Sequence, residues 1–251
     1  MSNQTSYLAK RCSAEDAVRL VRDGDFIIVP TGVGEPPALL TALSTRRREL
    51  HGVQVAQILA LRKYEYIDPT TVEHVRPIAF FYGGATRPGG QAGWIDYIPN
   101  AFSEIPSMIE RGQVKSDVVF SMASPMDADG NFSISLGTDY TLGAVAKARA
   151  VVLEVNPNVP MARGNCKVHI SQVAALVESA EPVLEVGLPK IGAVQQAIGK
   201  YVAELIDDGA TLQIGYGGIP DAVVMQLTGK HDLGVHTEMI GDGILTLVEA
   251  G

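Results

Sequence analysis

The stretch ATLQIGYGGIPDAVVMQL, residues 210–227, places an apolar run, a glycine-rich turn and an amphipathic segment in immediate succession. The run at 210–215 predicts a β-strand, and a proline five residues after it, where the first helical turn should lie, predicts a helix. Gly215, Gly217 and Gly218 would let backbone amides approach a phosphate, a carbonyl group or a pantetheine chain closely. A ligand-binding loop and an ordinary tight strand-to-helix turn are both compatible with this pattern.

The glycine spacing argues against two common nucleotide-binding motifs. A dinucleotide fingerprint requires G-x-G-x-x-G, whereas this loop reads G-x-G-G-x-P, and the Gly-Lys-Ser/Thr of a P-loop is absent. A second turn of similar type occurs in FIIVPTGVGEPPALLTAL, residues 26–43, where Gly32 and Gly34 precede a helix opened by Glu35 and two prolines. We expect both glycine loops on one sheet, facing a shared crevice at the carboxyl ends of its strands.

Short apolar runs alternate with longer helical patterns along the chain, which predicts an α/β fold with an open, mainly parallel sheet flanked by helices. The predicted strands span residues 25–30, 53–59, 76–81, 117–123, 149–155 and 210–215. Helices are predicted at 13–24, with Ser13 as N-cap and Gly24 as the stop, and at 191–209. The proline- and acid-containing segment 178–190 reads as a linker, so we expect an N-terminal α/β domain at 1–188 and a further α/β portion at 189–251.

Composition and charge limit the kinds of ligand that the protein can bind and the cellular compartments in which it is expected. The net charge of −8 argues against nucleic acid as a ligand, since RRR at 46–48 is the only basic run and fits the end of a helix. No apolar stretch reaches the ~18 residues of a membrane span, and the N-terminus lacks a secretion signal, so a cytoplasmic protein without a membrane partner is expected. Cys12 and Cys166 read as free thiols, and no cysteine or histidine spacing suggests a metal site.

Six segments together resemble the acetyl-CoA hydrolase/transferase family, in particular its 4-hydroxybutyrate and butyrate:acetate CoA-transferases. They are GVGEP at 32–36, SEIP at 103–106, SPMDADGNFSISLGTDY at 124–140, VNPNVP at 155–160, GYGGIPDAV at 215–223 and HTEM at 236–239. The resemblance runs from about residue 10 to the last residue. It implies one half of a two-domain CoA-transferase fold.

The resemblance also implies the site. Glu238 matches the family's catalytic glutamate, and the acyl-CoA-contacting loop corresponds to Gly215, Tyr216, Gly217, Gly218 and Ile219. Coenzyme A would be a substrate, with no resident cofactor and no metal; acyl-CoA and short-chain carboxylates would be the ligands, and a homo-oligomer is expected. Two residues depart from the family's pattern. Tyr216 stands where a small or aliphatic residue is commoner, and Gly241 stands where a serine is expected. Both differences bear on acyl-group preference more than on reaction type.

The implied reaction is a ping-pong transfer in which Glu238 carries coenzyme A as a glutamyl thioester. A carboxylate suits this task because its own acyl derivatives have reactivity comparable to that of the substrate thioester. Glycine-loop amides would stabilise the oxyanions. A carboxylate nucleophile needs no base to deprotonate it, so we read His236 as structural and Asp242 as a turn or capping residue.

In this family a second α/β half follows the first, and we expect this chain to be the N-terminal half, inactive alone and completed by a C-terminal half. The alternatives are a non-catalytic acyl-CoA-binding module that has kept the fold, an acyl-CoA hydrolase and, more distantly, a nucleotide-binding oxidoreductase domain. Complementation by a separately expressed C-terminal half would discriminate transferase from binding module.

Overall fold

A seven-stranded parallel sheet is the framework of the chain up to Leu184. The structure is a computed structural model that describes residues 2–187 and 189–251. It divides the chain into two units, one that ends at Leu184 and one that comprises Glu185–Gly251. The predicted boundary after residue 188 falls at a position outside the described residues.

The strands are β1 (Phe26–Ile28), β2 (Val53–Gln57), β3 (Val75–Ala79), β4 (Asp96–Tyr97), β5 (Val118–Ala123), β6 (Asn131–Ser133), β7 (Ala150–Val155), β8 (Lys167–His169), β9 (Ala175–Glu178), β10 (Thr211–Leu212) and β11 (Gly234–Val235). The α-helices are α1 (Asn3–Lys10), α2 (Ala14–Ala17), α3 (Pro37–Arg46), α4 (Arg87–Gln91), α5 (Ile105–Glu110), α6 (Thr141–Lys147), α7 (Ala193–Ala203), α8 (Gly218–Val224) and α9 (Asp242–Ala250).

The large sheet has the order β4-β3-β2-β1-β5-β7-β9, and its neighbouring strands pair in parallel. Every residue of β5 and β7 is buried, as expected for strands covered by helices on both faces. The direction of strand succession reverses between β1 and β5, so the loops after these two strands border a crevice of the kind that binds ligands in open α/β sheets. The predicted α/β fold with a mainly parallel sheet is confirmed.

The second unit is small and has its own core. β10 and β11 form a two-stranded parallel sheet, and buried Ala203, Leu212 and Leu227 pack with partly buried apolar residues of the helices and loops around it. α7 and α8 pack closely at Gly199, where an added Cβ would lie 2.5 Å from the Ala222 carbonyl oxygen. This close approach fixes α8, and hence the glycine loop before it, against the longest helix of the unit.

Two expectations about local structure are wrong. The predicted helix at 13–24 begins at the Ser13 N-cap as expected, but its α-helical part ends at Ala17 and a 3-10 turn takes the chain only to Leu20. The two glycine loops do not share a sheet: β1 belongs to the seven-stranded sheet, whereas β10 pairs with β11. β9 is the last strand of the seven-stranded sheet, and the two strands that follow it, β10 and β11, pair with each other.

Candidate active site

Strand register brings the two sequence-predicted parts of the site together. β10 and β11 pair with Thr211 opposite Gly234 and Leu212 opposite Val235, and the His236 N–H continues the ladder by donating to the Leu212 carbonyl at 2.9 Å. Extended by three residues past the paired positions, the same register sets Gly215 opposite Glu238. Both residues lie three positions past the carboxyl ends of adjacent parallel strands, which is the side on which α/β sheets hold ligands.

The threonine before Glu238 makes the last cross-strand contact. Its Oγ1 donates to the Ile214 carbonyl oxygen at 2.8 Å and accepts from the Ile214 N–H at 3.1 Å. Sequence reasoning did not single out Thr237. The signal available in the sequence was a hydroxyl residue at the end of an apolar run, because threonine side chains often replace main-chain partners where regular structure stops.

Gly217 gives the glycine loop its shape. It is the N-cap of α8 with φ 133° and ψ 175°, a backbone conformation that is essentially restricted to glycine. Neither Gly215 nor Gly218 has φ in the left-handed region, and a Cβ on either would meet its nearest neighbour at ordinary van der Waals distance. One of the three glycines is therefore required by backbone geometry, and the other two are not required by backbone conformation or by a close contact.

The loop presents free donors and apolar side chains. The N–H groups of Gly215, Tyr216 and Gly217 make no hydrogen bond with any residue in the described part of the chain. Buried or structural amides are nearly always paired, so unpaired amides at a strand end are available to an anion or a carbonyl oxygen. Tyr216 and Ile219 are exposed, as are Met239 and Ile240 directly after exposed Glu238. Exposed apolar side chains around polar donors are typical of binding surfaces.

Acidic residues begin the next helix. α9 starts at Asp242, with Gly241 rather than Asp242 as its N-cap. Burial, and then the negative charge of Asp242, raises the pKa of the Asp221 carboxyl group on α8. Asp221 and Asp242 are thus mutually repelling carboxylates at the helix starts. Exposed His236 contributes its backbone N–H to the sheet.

The first unit contains a separate buried carboxylate in the loop after β1. Glu35 accepts hydrogen bonds from Gln57 Nε2 at 3.0 Å, from the Leu61 N–H at 3.4 Å and from the Tyr64 hydroxyl at 3.3 Å. Burial raises its pKa despite these three donors. With both carboxylate oxygens engaged and 2% of the residue exposed, Glu35 ties the loop after β1 to the loop after β2.

Two further contacts hold the loop after β1 in place. An added Cβ on Gly34 would lie 2.8 Å from the Leu136 carbonyl oxygen and 3.0 Å from Gly137 Cα, so two backbone segments touch there. Asp139 Oδ2 accepts from the Thr31 N–H at 2.8 Å. The loop that borders the β1/β5 crevice is therefore rigidly packed.

The parts of the chain that the structure describes contain neither a cluster of metal-binding side chains nor a membrane-spanning helix. No group of at least three histidine, cysteine or acidic side chains among residues 2–187 and 189–251 could hold a metal ion. Within the same residues, no helix has both the length and the apolar character needed to cross a bilayer.

Sequence comparison finds a family model and relatives that cover the chain. Residues 1–186 match the acetyl-CoA hydrolase/transferase N-terminal domain. The chain is 40% identical over 250 residues to the succinyl-CoA:cyclohexane-1-carboxylate CoA transferase of Geobacter metallireducens, covering all of this chain and 57% of that protein. It is 39% identical over 245 residues to the 4-hydroxybutyrate coenzyme A transferase of Clostridium kluyveri, covering 98% of this chain and 57% of the relative.

Solved structures share the fold over nearly the whole chain. RipA from Yersinia pestis superposes with a TM-score of 0.92 at 29% identity, covering 100% of this chain and 61% of that one. A 4-hydroxybutyrate CoA-transferase from Porphyromonas gingivalis gives a TM-score of 0.86 at 32% identity, with 99% and 59% covered. The chain thus spans somewhat more than half the length of the proteins it matches.

Proposed function

The chain belongs to the acetyl-CoA hydrolase/transferase family, and we propose that the full-length enzyme moves coenzyme A between carboxylic acids with Glu238 as the covalent nucleophile. The observation that supports this proposal is the parallel pairing of β10 and β11, since the glycine loop and Glu238 follow the carboxyl ends of these two neighbouring strands. Coenzyme A is a substrate in this proposal, and the chemistry needs no resident cofactor.

The first half-reaction transfers coenzyme A to the enzyme. A carboxylate oxygen of Glu238 attacks the thioester carbonyl carbon, the C–S bond breaks, and a mixed anhydride forms with release of the CoA thiolate. The thiolate then attacks the glutamyl carbonyl carbon, and the first acid leaves as a carboxylate. The enzyme now holds coenzyme A as a thioester of Glu238, with no net gain or loss of protons.

The second half-reaction runs the same steps with a different acid. Its carboxylate attacks the glutamyl thioester, the thiolate leaves, and an anhydride of the second acid forms. The thiolate then attacks the acyl carbonyl of that acid and frees the Glu238 carboxylate. Energy of the thioester is conserved throughout, so no nucleoside triphosphate is required.

The glycine loop is suited to the charge that develops in these steps. Each attack places negative charge on a carbonyl oxygen, and a preorganised backbone donor beside such an oxygen lowers the barrier by about 3–4 kcal/mol. The unpaired N–H groups of Gly215, Tyr216 and Gly217 follow the strand adjacent to that of Glu238. This proximity supports the loop as the oxyanion-binding element.

The substrate class is an acyl-CoA and a free short-chain carboxylic acid. The matched relatives are named for succinyl-CoA with cyclohexane-1-carboxylate and for 4-hydroxybutyrate. The exposed apolar residues Tyr216, Ile219 and Met239 beside the donors favour an acid with an apolar body over a polyanion.

Glu238→Gln and Glu238→Asp in the full-length enzyme test the proposal. The glutamine variant keeps size and polarity but has no anionic oxygen, so transfer should fall by orders of magnitude. The aspartate variant withdraws the carboxylate by one methylene, and a misplacement of ~1 Å costs about 100-fold. Glu249→Gln, at an exposed carboxylate on α9, is the matched control and should leave transfer unchanged. Near-full transfer activity of the Glu238→Gln variant would contradict the proposal.

A further inference from the structure

The ladder between β10 and β11 ends at a side chain, that of Thr237, immediately before Glu238. In a parallel pair the main-chain bonds recur every two residues. After the bonds from Gly234 to Ala210 and from His236 to Leu212, the regular continuation would be Ile214 N–H to the His236 carbonyl, then Glu238 N–H to the Ile214 carbonyl.

The Thr237 hydroxyl takes both of those places. It accepts from the Ile214 N–H at 3.1 Å and donates to the Ile214 carbonyl at 2.8 Å. Consequently the Glu238 N–H and the His236 carbonyl have no hydrogen-bond partner among residues 2–187 and 189–251. The hydroxyl satisfies the last groups of β10 and simultaneously releases the main chain of Glu238 from the sheet.

We infer that Thr237 is a positioning residue for the nucleophile, acting by ending the cross-strand hydrogen bonding one residue before Glu238. This rests on the proposed role of Glu238. If the ladder continued, Glu238 would be a strand residue whose side chain points to one face of the sheet. Released from the ladder, it belongs to the loop that follows β11, on the same side of the small sheet as the glycine loop that follows β10.

Replacing the Thr237 hydroxyl distinguishes a role in positioning Glu238 from a general contribution to the stability of the fold. Thr237→Val keeps the shape and the β-branched character that strands favour, but it removes both side-chain bonds. Ile214 would then regain its main-chain partners at His236 and Glu238, so the strand lengthens by one pair with little change in unfolding midpoint. The nucleophile is drawn into the sheet, and the first chemical step slows.

The experiment uses the full-length enzyme and measures the rate at which acyl-CoA converts it to the glutamyl-CoA adduct, together with kcat and KM for transfer. Thr237→Val should slow adduct formation and kcat by about 10–100-fold, since misplacement of ~1 Å has an effect of this size. KM for acyl-CoA should change little. Thr237→Ser restores the hydroxyl and should return adduct formation to within about threefold of the parent rate, the remainder reflecting serine's freer rotamer.

Thr246→Val is the matched control, because this exposed α9 hydroxyl donates only to Asp242 within its own helix. It should react at the parent rate. Where Thr237→Val yields no folded protein, Thr237→Ala takes its place with the same expectation. Adduct formation at the parent rate in a folded variant that lacks the hydroxyl overturns the positioning role while leaving Glu238 as nucleophile. Absence of any adduct at residue 238 in the parent enzyme overturns both proposals.

Discussion

Gly217→Ala should damage the glycine loop through backbone strain alone. Gly217 has φ 133° and ψ 175°, and the nearest atom to an added Cβ is Pro220 Cδ at 4.0 Å, so no clash contributes. Holding a non-glycine residue in such a conformation costs about 1–3 kcal/mol. Alanine also restricts the unfolded chain, which offsets about 0.4–1 kcal/mol. We therefore expect a net loss of about 1–2 kcal/mol, unless the loop rearranges.

If the glycine loop of the Gly217→Ala variant rearranges, the variant should lose transfer activity and keep most of its free energy of unfolding. If the peptide on either side of residue 217 flips to relieve the strain, the N–H groups of the loop no longer face the strand end, and removal of one oxyanion donor costs about 100–1000-fold in kcat. Urea denaturation of the 251-residue chain measures the first effect. Steady-state transfer by the full-length enzyme measures the second.

Two other glycines of the same unit serve as controls. Gly229→Ala, with open space around the added Cβ and no left-handed φ, should lie within about 0.5 kcal/mol of the parent and keep full activity. Gly215→Ala should also fold normally, since the only atom of the described residues within 4 Å of its added Cβ is Pro220 Cγ at 3.9 Å; if the loop binds acyl-CoA as proposed, the methyl group would occupy part of the ligand's space and lower kcat/KM about tenfold. A Gly217→Ala variant as stable and as active as Gly229→Ala would refute this reasoning.

The remaining predictions concern the first unit. Gly34→Ala should lower the free energy of unfolding by about 1–3 kcal/mol, because the Leu136 carbonyl oxygen lies 2.8 Å from the added Cβ and backbone cannot move aside as a side chain would. Urea denaturation measures this loss. Gly84→Ala is the control, since its added Cβ meets no atom of the described residues within 4 Å and the substitution should be near neutral. Burial raises the pKa of Glu35, so its stabilising contribution is present below the ordinary pKa of glutamic acid and is lost as pH rises through the folded-state value. Glu35→Gln cannot ionise and should therefore gain stability relative to the parent as pH rises above about 4, the ordinary pKa of glutamic acid; a difference in urea midpoint that stays constant with pH would contradict this.

The sequence predicts the central strands well because their signal is local. β5 and β7 are continuous apolar runs buried on both faces, and their predicted and observed bounds differ by one residue at the start. Pairing between strands is a different matter, since it depends on residues far apart in the chain. Nothing in the run 210–215 specifies β11 as its partner, and this is why the shared sheet for both glycine loops was a wrong expectation.

The candidate site likewise has parts that the sequence predicts and a spatial arrangement that it does not. Glu238 and the glycine loop are found from motifs, and these motifs carry residue type but not spatial relation. Their proximity follows from a ladder of only two strand residues on each side, continued by His236 and Thr237. A short ladder leaves almost no periodic trace in the sequence, so the sequence shows a hydroxyl at residue 237 but not that its partner is Ile214.

The most direct test of the central claim is the location of the covalent intermediate. The full-length enzyme is incubated with acyl-CoA and treated with borohydride, which reduces a glutamyl thioester to a primary alcohol and leaves a carboxylate untouched; peptide mass spectrometry then places the change. We predict that the modified residue is Glu238 and that added acceptor acid discharges the intermediate before reduction. Modification at another carboxylate such as Glu35 or Glu104, or no modification under conditions of full turnover, would contradict the account.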